Sequence, residues 1–122
     1  MTRILVVEDE ASIAENMAAL LTAKGYVVAS CGDGAQALEM ARKEPPDLVL
    51  LDVMLPLISG FDVCKMLRAD PKTSKAKILM VTGLDRGGDV ETAFAAGAND
   101  YLVKPFDSDR LFKKIQKVLA SV

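Results

Sequence analysis

Leu48-Val49-Leu50-Leu51-Asp52 is the stretch on which the fold turns. Four consecutive apolar residues without polar alternation predict a strand covered on both faces, and this one stops at a carboxylate. Similar runs lie at Ile4-Leu5-Val6-Val7, Tyr26-Val27-Val28, Ile78-Leu79-Met80-Val81 and Tyr101-Leu102-Val103. Between them, apolar residues recur at helical spacing. Ile13, Met17, Leu20 and Leu21 follow i, i+4, i+7 and i+8 before Gly25 supplies the stop, and Leu111, Ile115, Val118 and Leu119 repeat the interval. Phe61, Cys64 and Leu67 form another stripe, ended by Pro71, and Ala93 and Phe94 lie on a short helix that Asp89 caps and Gly97 ends. Ser12 with Glu15, and Asp33 with Gln36, read as capping boxes. A strand followed by a helix, five times over, predicts an α/β fold: a doubly wound parallel sheet with helices on both faces and right-handed crossovers.

The 122 residues fit one domain, 1–122, and no linker, repeat or low-complexity segment interrupts them. Apolar residues make up 51% and charged residues 26%, a globular composition. A net charge of −2 gives no basis for binding nucleic acid or an anionic membrane. Histidine is absent, which excludes Ser-His and Cys-His nucleophile pairs, His-ligated zinc and imidazole general-base chemistry within the chain. Cys31 and Cys64 are too few for a disulfide scaffold and read as small apolar fillers of a reduced, cytoplasmic protein. The apolar start runs straight into Glu8-Asp9-Glu10 and so is no secretory signal. No apolar run approaches the roughly 18 residues of a membrane helix.

In an open α/β sheet, ligands bind outside the carboxyl ends of the strands. There the runs deliver Glu8-Asp9, Asp52, Thr82-Gly83 and Lys104-Pro105. Each alone has an ordinary explanation, an Asp after a strand being commonly a helix cap. Together they place three carboxylates, one ammonium and one hydroxyl on the same edge. Clustered carboxylates repel, and a hard divalent cation relieves that repulsion; oxygen-only ligands favour Mg²⁺ (or Mn²⁺) over zinc. Lys104 and Thr82 suit the oxygens of a phosphoryl group, and a carboxylate can itself be the nucleophile that forms an acyl phosphate. Gly83 leaves room beside Thr82.

Val6-Val7-Glu8-Asp9-Glu10, then Leu50-Leu51-Asp52-Val53-Met54-Leu55-Pro56 with Gly60, then Val81-Thr82-Gly83, then Tyr101-Leu102-Val103-Lys104-Pro105-Phe106 resemble the receiver domain of two-component response regulators, in its chemotaxis-type single-domain form. The match spans essentially the whole chain. The resemblance implies a flavodoxin-like sheet of order 2-1-3-4-5 with five helices. It implies that Asp52 accepts a phosphoryl group from a phosphohistidine on a sensor histidine kinase or a phosphotransfer protein. Asp9, Asp52 and the Met54 backbone carbonyl would ligate Mg²⁺, with Glu8 acting through water. Lys104 would pair with the phosphoryl oxygens, Thr82 would move to bond one of them, and Tyr101 would turn inward as it does. The Lys104-Pro105 peptide would be cis, which the small X-Pro energy gap permits. The output would be binding of a partner protein, or of a second copy, through helix four, strand five and helix five.

Some positions depart from the family pattern. Ser59 stands where the family often carries Asp, with little expected consequence. Met54 and Leu84, each two residues past a site residue, are apolar at positions that govern water's access to the acyl phosphate, so slow self-dephosphorylation is expected. Gly87-Gly88 reads as part of the loop before helix four, a region that rearranges in the family, or as a plain flexible surface turn. A phosphatase of the haloacid dehalogenase class also uses an aspartyl nucleophile after a strand, but needs a second Asp where this chain has Met54. No enzyme acting on an external substrate is therefore expected, only self-phosphorylation and self-dephosphorylation. A degenerate receiver, serving as a constitutive interaction module, is disfavoured by the presence of all five site residues. The chain stops after its last helix, so no output domain is expected in it. Residues 70–75 read as a plain connection, and Lys113, Lys114 and Lys117 as a solvated face that also suits docking.

Overall fold

The central apolar runs become strands because the middle of a parallel sheet sandwiched between helices has no wet face for a polar residue to occupy. The computed structural model describes residues 1–83 and 87–121, and for 87–89 the backbone alone. The elements alternate throughout: β1 (Arg3–Val7), α1 (Ala11–Ala23), β2 (Val27–Cys31), α2 (Gly34–Lys43), β3 (Leu48–Asp52), α3 (Gly60–Ala69), β4 (Lys77–Thr82), α4 (Gly87–Ala95), β5 (Asp100–Val103) and α5 (Ser108–Ala120). The strands pair in parallel in the order β2-β1-β3-β4-β5, the doubly wound, flavodoxin-like arrangement expected. Order reverses between β1 and β3, where Val7 is in register with Leu51. That switch point sets Glu8 and Asp52 side by side.

Successive strand residues face opposite ways, which divides the core in two. Leu5, Val7, Val49, Leu51, Ile78 and Met80 pack with α2, α3 and α4. Ile4, Val6, Leu48, Leu50, Leu79 and Leu102 pack with Met17 and Leu21 of α1 and with Leu111, Ile115 and Val118 of α5. Both cysteines are buried. Burial, reinforced by the nearby Asp33, pushes the Cys31 thiol up to about 11, and burial likewise raises Cys64. These are fillers with little thiolate at neutral pH.

Two glycines end helices as expected. After α1, Gly25 (φ 94°) and Tyr26 donate back to Thr22 and Leu21; after α4, Gly97 (φ 108°) and Ala98 donate to Phe94 and Ala93. Both are Schellman turns, in which a left-handed residue lets the chain satisfy the last carbonyls.

Several expectations are corrected. β2 is not covered on both faces: Val27, Ala29 and Ser30 are exposed, because β2 is an edge strand. Ser12 and Glu15 form no capping box, since α1 begins at Ala11 with Glu10 at the cap and no side-chain cap bond. Asp33 does accept from the Gln36 amide, but Gln36 Oε1 takes the Gly32 amide. α4 starts at Gly87, which puts Gly87-Gly88 in the helix and not in the loop before it, and Asp89 inside its first turn. Ser59, set aside in the sequence, caps α3 by accepting from the Asp62 amide at 3.2 Å.

Residues 70–75 are more than a connection. Thr73 is buried, and its hydroxyl donates to the Leu67 carbonyl at 2.7 Å. Arg68 donates to the carbonyls of Ser74, Ala76 and Gly97 and to Asn99 Oδ1. One guanidinium thereby ties α3, the turn before β4 and the turn after α4. Lys114 and Lys117 are not simply solvated either: both approach Asp100, at 3.1 and 3.6 Å.

Candidate functional site

The carboxyl ends of β1, β3, β4 and β5 open on one side of the sheet, and four strands each contribute there. Glu8 and Asp9 follow β1; Asp52 closes β3; Thr82 closes β4; Lys104 follows β5. Glu8 and Asp52 are buried, at 4% and 5% exposure, while Asp9 is exposed. Glu8, Asp9 and Asp52 each offer a carboxylate oxygen within 4.8 Å of the others.

Lys104 Nζ donates to Asp52 Oδ2 at 3.0 Å and to Glu8 Oε1 at 3.1 Å. Asp52 Oδ1 accepts the Met54 amide at 3.1 Å, so both acceptor oxygens are oriented. Burial pulls the Lys104 ammonium down, but the hydrogen bonds and negative charge of Asp52 and Glu8 more than offset this, and its pKa rises above the ordinary 10.5. Among the described residues Asp9 makes no hydrogen bond or ion pair. Three clustered carboxylates thus stand beside one ammonium, which pairs with two of them, and the edge carries an uncompensated negative charge.

Thr82 adds the second anomaly. Its side chain is 1% exposed, and Oγ1 has no hydrogen-bond partner among the described residues. A buried hydroxyl left unpaired costs on the order of 1–3 kcal/mol and calls for an explanation. Gly83 beside it is open: a Cβ there would meet nothing within 4 Å. Tyr101 lies in register with Met80, two residues before Thr82 on the same face of the sheet. Its ring is half-buried and meets Phe94 edge-on at 5.9 Å. The Lys104–Pro105 peptide is cis.

Gly60 holds the loop after β3 against the site. Its amide donates to the Val53 carbonyl, and a Cβ there would overlap the Asp52 carbonyl oxygen and come 2.8 Å from Val53 Cα. Met54 projects outward, 74% exposed, so its backbone and not its side chain belongs to the site. Leu84 lies outside the described residues. Sequence reasoning therefore located every polar group of the cluster, and it missed Lys114, whose contact with Tyr101 leaves no local signature.

An oxygen-only cluster with a carboxylate excess at the switch point of a doubly wound sheet, flanked on the same edge by a lysine and an unpaired hydroxyl, defines a class: α/β proteins equipped for metal-assisted phosphoryl chemistry on a carboxylate. The comparisons specify the family. Residues 4–116 match the response regulator receiver domain, and the chain belongs to that family. It is 46% identical over 114 residues to the DNA-binding response regulator MtrA of Mycobacterium tuberculosis, covering 93% of this chain and 49% of MtrA. The chain thus spans about half the length of such curated relatives. The structure of chemotaxis response regulator CheY4 from Vibrio cholerae superimposes with a TM-score of 0.92 and 34% identity, over 97% of this chain and 98% of that one. The receiver domain of sensor histidine kinase PA1611 from Pseudomonas aeruginosa has a TM-score of 0.90 and 33% identity, over 98% of both chains; it holds a magnesium ion coordinated in its active site cleft. Matches of such different kinds single out the receiver domain and not specifically its chemotaxis form. Phosphorylation-activated switching in two-component signalling is the general function of this family, and receiver domains bind Mg²⁺ at their acidic pocket. No helix among the described residues is long and apolar enough to cross a membrane.

Proposed function

We propose that Asp52 is the phospho-acceptor of a switch, and that the donor is a phosphohistidine on a sensor histidine kinase or phosphotransfer protein. The observation that carries this reading is the clustering of three carboxylates, two of them paired with one lysine. An Asp52 oxygen attacks phosphorus as the P–N bond to the imidazole breaks, and the imidazole keeps the electron pair. The products are an aspartyl phosphate and a free histidine. The Asp9 and Asp52 carboxylates and the Met54 carbonyl are the group that would hold Mg²⁺ or Mn²⁺, with Glu8 acting through water. A bound divalent ion supplies charge neutralisation for carboxylates and phosphoryl oxygens alike.

Lys104 is already bonded to Asp52 and needs little movement to meet a phosphoryl oxygen. Thr82 Oγ1, unpaired before phosphorylation, gains its hydrogen bond afterwards. The phosphoryl group brings about −1.5 to −2 charges to an edge already rich in acids. The pull on Thr82 clears space on the face it shares with Tyr101, which turns inward and reshapes the surface of α4, β5 and α5. That surface controls a downstream protein or pairs with a second copy. Phe94, 47% exposed on α4 and edge-on to Tyr101, gives it an apolar contact. We place the switch in the cytoplasm, acting on no external substrate, and expect a long-lived aspartyl phosphate because apolar Met54 stands at the rim.

Intact-mass spectrometry after incubation with acetyl phosphate tests the acceptor. Wild type gains one phosphoryl group in Mg²⁺ and none in chelator, and Asp52→Asn gains none under either condition. Incorporation that survives Asp52→Asn overturns the assignment. In a time course after donor removal the adduct persists for minutes or longer; loss within seconds contradicts the slow-dephosphorylation reading.

A further inference from the structure

Behind the output face lies a group of side chains that the phosphoryl chemistry leaves unused. Asp100 opens β5 and is 6% exposed. Its Oδ1 accepts the Tyr101 amide at 2.8 Å, and its two oxygens accept from Lys114 Nζ at 3.1 and 3.2 Å. Lys117 Nζ stands 3.6 Å from Oδ2. Held in this way, Lys114 Nζ lies 4.9 Å from the centroid of the Tyr101 ring. The ring is bounded by the Lys114 ammonium and by the edge-on ring of Phe94. β5 is an edge strand, so a lysine of α5 reaches past it to a side chain that belongs to the other face of the sheet.

We propose that Lys114, anchored by Asp100, is a brake on Tyr101: the ammonium stabilises the ring in its present position and so sets how readily the switch responds. The inference rests on the reading of Tyr101 as the residue that turns inward. A lysine over an aromatic face at a partly exposed site stabilises the arrangement by about two- to fivefold in an equilibrium constant. A ligand that selects the inward ring must overcome that factor, and its apparent affinity falls in proportion to the fraction of competent protein. Lys114 thereby acts as a positioning residue some distance from the acceptor. Its anchor is redundant, because Lys117 stays beside Asp100 when Lys114 is replaced. The carboxylate is not orphaned, and removing the brake leaves the fold in place.

The sign of the effect separates this proposal from plain electrostatics. Deleting a positive charge weakens binding of the beryllofluoride anion if charge alone operates; releasing the brake tightens it. The experiment is calorimetric titration of the full chain with beryllofluoride in Mg²⁺, comparing wild type, Lys114→Met, Lys114→Gln and Lys114→Arg, each with Tyr101 and with Tyr101→Ala. Lys114→Met and Lys114→Gln are expected to bind about two- to fivefold more tightly, with Lys114→Arg close to wild type. In the Tyr101→Ala background the difference disappears. NMR of the Tyr101 ring in the unliganded protein shows a larger inward fraction in Lys114→Met. Unchanged or weaker binding in both neutral variants overturns the proposal, as does tightening that persists without the tyrosine ring. If wild type binds no beryllofluoride, the acceptor reading itself fails and the brake falls with it; binding without a Lys114 effect leaves the acceptor intact and removes only the brake.

Discussion

The two ends of β5, a strand of four residues, carry two acid–lysine clusters with opposite stoichiometry. At the carboxyl end, the clustered Glu8, Asp9 and Asp52 have Lys104 alone, which pairs with Glu8 and Asp52; at the amino end, Lys114 and Lys117 share Asp100. Both clusters hold carboxylates under 10% exposed. The first cannot be neutral without a further cation, and the second is already compensated. Charge balance, and not burial or the mere presence of acids, is what separates a site that demands a ligand from a structural tie. The same comparison explains Thr82: an unpaired hydroxyl is tolerable at the ligand-demanding end, where a partner is still to arrive.

The largest expected effect comes from pressing on the backbone of the deficient cluster. Gly60→Ala forces a methyl group onto the Asp52 carbonyl oxygen, and nothing there is a flexible side-chain end that can yield. Urea unfolding should show a loss on the order of 2–4 kcal/mol, and a variant within experimental error of wild type means the β3–α3 loop is free to shift. The next prediction sets the clusters against each other. Lys104→Met strands two buried carboxylates without a cation and should cost on the order of 2 kcal/mol, reduced from a fully buried pair because Lys104 is 28% exposed. Lys114→Met leaves Asp100 its second lysine and should cost less than about 1 kcal/mol. Equal losses would mean that stoichiometry does not govern these clusters.

The deficient cluster was legible in the sequence and the balanced one was not, for a physical reason. Glu8, Asp9, Asp52, Thr82 and Lys104 each stand just past an apolar run, so once the βα alternation is recognised, the fold rule that ligands sit at strand carboxyl ends gathers them without any tertiary detail. Lys114 has no such marker; its meaning depends on α5 lying alongside edge strand β5, and in the sequence it looks like any solvated helix lysine. Arg68 is hidden for a related reason, since three of its four partners are backbone carbonyls, which leave no trace in residue types. β2 misleads in the opposite direction. Tyr26-Val27-Val28 is as β-branched as a central strand, but edge position follows from strand order, which local composition does not encode.

Asp9 gives a smaller test of the charge deficit. It is exposed and unpartnered among the described residues, so its charge contributes mainly repulsion toward Glu8 and Asp52. In chelator, Asp9→Asn should raise the melting temperature slightly, on the order of 2 °C. Mg²⁺ should then stabilise wild type and have little effect on the variant. An Asp9→Asn protein that melts lower than wild type in chelator would show that the three carboxylates do not repel, and the cation demand inferred from them would go with it.

The smallest effect is an alkaline one, and its sign follows from Lys104. The ammonium titrates above its ordinary 10.5 in the folded protein because the bonds and charge of Asp52 and Glu8 outweigh its burial. A folded-state pKa raised above the unfolded value means that the ion pair's contribution is complete below 10.5 and is lost as pH rises through the folded value. The stability gap between wild type and Lys104→Met should therefore be flat at neutral pH and narrow only in strong alkali. Urea midpoints for both proteins from neutral to alkaline pH measure it, with the other lysines cancelling in the difference. A gap that closes below 10.5 would mean that the two carboxylates do not hold the proton on Lys104, which would place the amine outside the acidic cluster in solution.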